Sequence, residues 1–223
     1  MIKKVNGWSN REGANYWGTD RLNRMIETRN LERERGTLVL LKKLPVSANF
    51  KVCDLGCGIG RRHINIQEMM GDKFEYIGIE REEELLKAGR KYFPDLEFVK
   101  ADLQELADKH PEFVEYFDLV LTFHVLQYNH IEQQDEILKN IYRILKENGY
   151  FYMKENTIYE HNNIGYKSMA ETHSINGHSY TEAGWIKKLK GQGFELVAKT
   201  GKDGHFIFRK KNKNISVLTG GKK

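Results

Sequence analysis

One stretch constrains this chain more than any other: FKVCDLGCGIGRRH, from Phe50 to His63. It opens as a short apolar strand with Val52, Cys53 and Leu55, interrupted by a single acid, Asp54. Three glycines follow at alternate positions, Gly56, Gly58 and Gly60, and then a helical run over 64–70. A strand, a glycine turn and a helix in that order open a nucleotide-type binding unit. Glycine tolerates left-handed backbone and lets a ligand approach the main chain closely. The open question at this point is which ligand sits over those glycines.

From Phe50 onward the chain alternates strand and helix. FEYIGIE (74–80), 96–100, the near-continuous apolar run FDLVLTF (117–123) and 150–154 read as strands. Helices are expected over 82–92 and 131–146, and a helix or loop over 103–114. In the 131–146 segment Ile137, Leu138, Ile141, Ile144 and Leu145 fall at helical spacing, and Asn148-Gly149 is expected to end it. Such alternation builds a parallel sheet with helices on both faces and ligands at the carboxyl ends of the strands. After Asn156 the alternation stops. Residues 157–179 read as a long irregular loop, a kind that is usually functional or disordered. Thr181 then caps a helix to about residue 190, and strands over 195–200 and 205–210 form a hairpin around Asp203-Gly204.

Composition sets the outer bounds. A 223-residue chain with 39% hydrophobic and 30% charged residues suits one domain with a full core. No run of eighteen or more apolar residues occurs, so no membrane span is expected. The N-terminus lacks an apolar signal core, so a cytoplasmic location is expected. Cys53 and Cys57 are the only cysteines. They read as reduced thiols filling small spaces, and no metal site is expected. The net charge of +5 resides largely in the C-terminal RKKNKN and GKK, read as a solvated tail. It leaves a nucleic-acid partner open without arguing for one. Nothing in the chain sets its oligomeric state.

The glycine turn does not stand alone. Glu80 ends the second strand twenty-four residues after Gly56, where a carboxylate can accept from two ribose hydroxyls. Asp102-Leu103 follows the third strand, placed for an adenine amino group and ring. The fourth strand exits into Phe123-His124. This ordered set resembles the class I S-adenosylmethionine-dependent methyltransferases over about residues 50–210. DLGCGIG matches their first motif, Glu80 their ribose acid, Asp102-Leu103 their adenine-side pair and FDLVLTFHVLQY their fourth-strand motif. ILKENGYFYM matches their turn before the fifth strand, with Glu147 and Asn148 in place of the usual proline and first glycine.

The resemblance implies a Rossmann-like, seven-stranded, mostly parallel α/β sheet with an antiparallel C-terminal hairpin and helices on both faces. It also implies S-adenosylmethionine as methyl donor, S-adenosylhomocysteine as product and no metal. The expected donor site is Asp54, Gly56, Cys57, Gly58, Arg61, Glu80, Asp102, Leu103, Phe123 and His124. Arg61 is expected to pair with the donor carboxylate, since some family members also carry arginine there. Arg62 reads as a solvated charge. A dinucleotide fingerprint would want glycine where Arg61 stands.

The expected organisation is an N-terminal arm and helices covering the donor site (1–45), a catalytic domain (46–212) with a substrate loop (157–179), and a basic tail (213–223). Candidate catalytic residues are His124, Glu155 and Asn156, because an alcohol or ammonium acceptor must lose a proton. Candidate acceptor contacts are Trp17, Tyr128, His161, His173 and His178. A small-molecule acceptor methylated on N or O is expected. A protein N-terminus is the alternative, since GIGR, Tyr16-Trp17 and Lys154-Glu155-Asn156 look similar to protein α-N-terminal methyltransferases, although those carry an aspartate where Glu155 stands. A non-catalytic donor-binding partner subunit is a further alternative.

Overall fold

In a computed structural model, residues 40–71, 74–157, 166–168, 178–200 and 204–211 are described. The expected N-terminal helices before residue 40, Trp17, His161, His173 and the basic tail lie outside them.

The strands are β1 (Phe50–Leu55), β2 (Phe74–Glu80), β3 (Glu97–Lys100), β4 (Phe117–Phe123), β5 (Leu145–Lys154), β6 (Tyr166–Ser168), β7 (His178–Tyr180), β8 (Phe194–Thr200) and β9 (His205–Lys210). The helices are α1 (Arg62–Met70), α2 (Glu83–Tyr92), α3 (Leu106–Lys109), α4 (Ile131–Ile144) and α5 (Glu182–Gly191). Seven strands form one sheet in the order β3-β2-β1-β4-β5-β9-β8. The pairs from β3 to β5 are parallel, and β9 runs antiparallel to both β5 and β8. Strand order reverses direction between β1 and β4. That switch point opens a crevice at their carboxyl ends, immediately above the glycine turn.

Period-two alternation sorts the strand residues onto two cores. Cys53, Leu55, Val120, Phe151, Met153, Phe206 and Phe208 face one side, where α4 and Trp185 of α5 pack. Val52, Leu119, Leu121, Tyr152 and Ile207 face the other, against Ile66 and Met70 of α1. β4 is therefore covered on both faces, which is why it reads as an unbroken apolar run. Each fully buried Leu or Ile contributes about 1.5–3 kcal/mol. Leu40, Leu41 and Leu44 join the second core, so packed structure begins before residue 46.

Three local expectations change. The helix expected over 131–146 stops at Ile144, because Leu145 already pairs with Phe117 at the start of β5. The ladder then shifts register between Phe117 and Leu119, and Asn148 takes the positive φ of 62° that turns the chain. The 103–114 segment resolves into α3 and a single 3₁₀ turn, Pro111–Phe113. Within the loop expected to be irregular, β6 and β7 pair antiparallel and Thr157 bridges to Tyr180. At α5 the expected cap is present, with Thr181 Oγ1 accepting from the Gly184 amide at 3.0 Å.

Candidate active site

The glycine turn is held against β2. The amides of Gly56 and Cys57 both donate to the Ile79 carbonyl, at 2.8 and 3.1 Å. Gly58 adopts φ 59°, and a Cβ there would meet nothing within 4 Å. Its open side is thus free of atoms of the described residues, as a turn that receives a ligand requires. An open cleft lies over this turn. Seven of the expected donor residues line it: Asp54, Gly56, Cys57, Gly58, Arg61, Glu80 and Phe123. Ile59, Leu85 and Arg62 complete the lining.

Glu80 is fixed by main chain. Its Oε2 accepts from the Gly58 amide at 3.1 Å, and its Oε1 from Arg81 and Glu82 at 2.8 and 3.1 Å. A carboxylate has about four acceptor sites, so capacity remains for a ligand hydroxyl. Burial raises its pKa, and the three amides oppose that rise. Asp54 lies on the cleft floor, 1% exposed, accepting from the Tyr76 hydroxyl at 2.8 Å. Burial pushes it up to about 7, against the lowering effect of that hydrogen bond.

Arg62 was missed by sequence reasoning, which left it as a solvated charge. The structure turns it inward. Its guanidinium sits 4.1 Å from the centre of the Phe123 ring, a cation–π contact, and burial lowers its pKa to about 10. The only signal for this was the poor fit of two arginines to the positive end of a helix, where anions are favoured. α1 has no acid in its first turn.

Other expected site residues are not among those that line the cleft. Asp102 is exposed, and its Oδ1 accepts from the Gln104 amide at 2.9 Å, a side-chain turn that starts the segment leading to α3. Leu103 packs against the first core. His124 lies beyond Phe123 with φ 54°, and its amide donates to the Lys154 carbonyl at 2.7 Å. Burial, followed by the positive charges of Lys154 and Arg62, holds its imidazole at about 4. Tyr128 is half-buried in the 3₁₀ turn after β4. Of His178 only the backbone is described, paired with Ser168.

Glu155 departs furthest from expectation. It is 0% exposed and faces the protein interior, not the cleft. Its Oε1 accepts from the Val125 and Leu126 amides, each at 3.0 Å, and its Oε2 from Gln127 at 3.2 Å. Burial raises its pKa to about 7 despite these three donors. Asn156 is exposed, and its amide donates to Gln127 Oε1 at 2.8 Å. The tip of β5 thereby ties down the chain leaving β4. Among the described residues no helix is long and apolar enough to cross a membrane, and no cluster of metal ligands occurs.

The fold and cleft find matches among known proteins. The chain is 28% identical over 145 residues to the carboxy-S-adenosyl-L-methionine synthase of Campylobacter concisus. That match spans 63% of this chain and 58% of the relative. The PH0226 protein from Pyrococcus horikoshii superposes with a TM-score of 0.68 at 20% identity, covering 92% of this chain and all (100%) of the other. Human N-acetylserotonin methyltransferase, solved in complex with S-adenosylmethionine, gives 0.66 at 17% identity, covering 93% of this chain and 61% of that one. The family model described as a methyltransferase domain matches residues 46–211, most of the chain and the whole of the sheet and cleft described above. This chain belongs to that family and is a class I S-adenosylmethionine-dependent methyltransferase.

Proposed function

We propose that the protein transfers the methyl group of S-adenosylmethionine to an N or O atom of a small-molecule acceptor by in-line displacement. The observation that carries this is the cleft above β1 and β4. The open face of Gly58 and the amide-anchored carboxylate of Glu80 meet at its rim. These features suit a nucleoside with free ribose hydroxyls and no phosphate. Bound there, the donor supplies an electrophilic methyl on a sulfonium sulfur.

The chain's own residues then have distinct tasks. Glu80 accepts from a ribose hydroxyl in an orientation its three amide donors hold fixed. Arg61 pairs with the donor carboxylate. Phe123 walls the cleft at the end of β4 and excludes water there. Holding the reactants in line accounts for most of the rate when the donor is already activated. His124 is the titratable side chain next to Phe123 at the β4 exit. At about 4 it is neutral at pH 7 but a weak base, which limits it to the lower end of general-base catalysis. For an acceptor that must lose a proton, replacing His124 by alanine is expected to lower kcat by up to about 100-fold while leaving donor affinity unchanged. Unchanged turnover would remove His124 from proton transfer.

The reading as a protein α-N-terminal methyltransferase relied on an acid at Glu155 facing the acceptor. The burial of that carboxylate against three amides weakens it.

The test is binding followed by turnover. S-adenosylmethionine and S-adenosylhomocysteine should each raise the unfolding temperature, since a ligand bound only by the native state stabilises it by mass action. Labelled donor offered with small metabolites, peptides and RNA should mark the metabolite fraction. No thermal shift with either compound would refute the donor site. Label appearing in peptide or RNA alone would refute the small-molecule acceptor.

A further inference from the structure

The acceptor end of the cleft carries positive charge. Arg62 lines it with its guanidinium laid on Phe123, the residue at the carboxyl end of β4. Arg61 lines the same cleft. Lys154 ends β5 beside Phe123 in the ladder, and its charge and that of Arg62 both act on His124 between them. Both arginines stand at the start of α1, whose aligned peptide dipoles add a further partial positive charge. The donor brings one carboxylate, which Arg61 takes, and two cations, its α-ammonium and its sulfonium. The acids of the cleft lie elsewhere: Glu80 faces the ribose side from the end of β2, and Asp54 is hydrogen-bonded to Tyr76 on the floor. With Arg61 on the donor carboxylate, Arg62 is the second arginine lining the cleft, and its charge favours a second anion there.

Proton transfer gives a second, independent pointer. Of the catalytic candidates at this end of the sheet, Glu155 is committed to three backbone amides, Asn156 does not titrate and His124 is a weak base. An acceptor that is already ionised at pH 7 needs no base at all. A carboxylate meets both conditions.

We propose that the acceptor is a small-molecule carboxylic acid, that its carboxylate docks against Arg62, and that its own oxygen takes the methyl group. The inference rests on the methyltransferase reading above and narrows its acceptor. One carboxylate oxygen accepts a charge-assisted hydrogen bond from the guanidinium, and the other attacks. The new bond joins that oxygen to the methyl carbon as the carbon–sulfur bond breaks. The electron pair stays on sulfur, the anion and the sulfonium cation neutralise each other, and no proton moves. The products are a methyl ester and S-adenosylhomocysteine.

The experiment offers donor labelled in its methyl group to the full chain with a panel of mono-, di- and tricarboxylic acids. Their primary amides, matched alcohols and amines are offered alongside. Product is then treated with alkali, which releases a carboxyl methyl ester as volatile labelled methanol and leaves N-methyl and ether products intact. We expect alkali-labile label from one or more acids and none from the corresponding amides. With the best acid, Arg62→Gln should raise the acceptor KM at least tenfold and leave the affinity for S-adenosylhomocysteine within twofold. Arg62→Lys should recover part of the loss. Alkali-stable product, or a panel in which no carboxylic acid takes label, overturns the proposal. So does a loss of S-adenosylhomocysteine affinity in both variants with native circular dichroism, which would assign Arg62 to the donor carboxylate. If the parent protein binds no S-adenosylhomocysteine, the methyltransferase reading itself fails, a result distinct from all of these.

Discussion

Replacing Glu155 by alanine is expected to lower the stability of the fold by about 3–5 kcal/mol, the range for breaking a buried charged network. The cause is the three amides the side chain serves. Val125, Leu126 and Gln127 leave β4 in a turn whose N–H groups all point at one buried carboxylate. Alanine leaves them without an acceptor, and each buried unsatisfied group costs about 1–3 kcal/mol. Glutamine keeps one oxygen for Val125 and Leu126 but sets an amide nitrogen against the Gln127 N–H. Its cost should be about 1–2 kcal/mol.

The same site has a pH signature. The pKa of Glu155 is raised by burial from 4.5 to about 7. An acid raised in the native state contributes stability that is fully present below its unfolded pKa and is lost as pH rises through the folded value. The parent should therefore lose stability between about pH 4.5 and pH 7 through this group. Asp54, also at about 7, adds a slope of the same sign. In Glu155→Gln the slope should be shallower, because the Glu155 part is gone. Urea unfolding of parent and variant at pH 5 and pH 8 measures this directly. Parallel pH dependences would show that Glu155 titrates normally.

Glu80→Ala is expected to have the largest effect on the donor. A hydroxyl hydrogen bond to a charged acceptor is worth about 1.5–3 kcal/mol. Its loss predicts S-adenosylhomocysteine binding about 10- to 100-fold weaker by titration calorimetry. The fold should change little, because the amides of Gly58, Arg81 and Glu82 lie at a half-exposed rim where water can replace the carboxylate. Glu80→Gln, which keeps the shape and loses the charge, should fall between the two. Because burial raises the pKa of Glu80, donor affinity in the parent should weaken on acidification as this group protonates. Affinity unchanged in Glu80→Ala would remove the ribose assignment.

Much of this protein follows from local pattern. The alternation of Cys53, Leu55 and Val52, or of Phe206, Ile207 and Phe208, states which side of a strand each residue faces. It holds because successive side chains in a strand point to opposite faces whatever the neighbours are. The glycine turn is equally legible, because left-handed backbone such as that of Gly58 is a property of the residue itself. Twenty-four residues of spacing were enough to bring Glu80 to the glycine turn, since one β-α-β unit has nearly fixed dimensions. Strand β5 was harder. Its early start at Leu145 depends on a pairing with Phe117 that no periodicity in the helix announces.

The polar residues of the site divide along the same line. Glu80 could be assigned from sequence because its partners, Gly58, Arg81 and Glu82, belong to the same β-α-β unit. Glu155 and Arg62 could not. Glu155 lies 28–30 residues from the amides it serves, and only the pairing of β4 with β5 brings its carboxylate to them. Arg62 follows Arg61 directly, and in the sequence it reads as a surface charge. Only the packing of α1 beside β4 lays it on Phe123 and into the cleft. By itself the sequence determined the sheet, the glycine turn and the acid that meets it from the end of β2, which depend on local backbone and side-chain period. The tertiary structure decided which charges are buried and which line the cleft, because burial is a property of the neighbours that folding brings together.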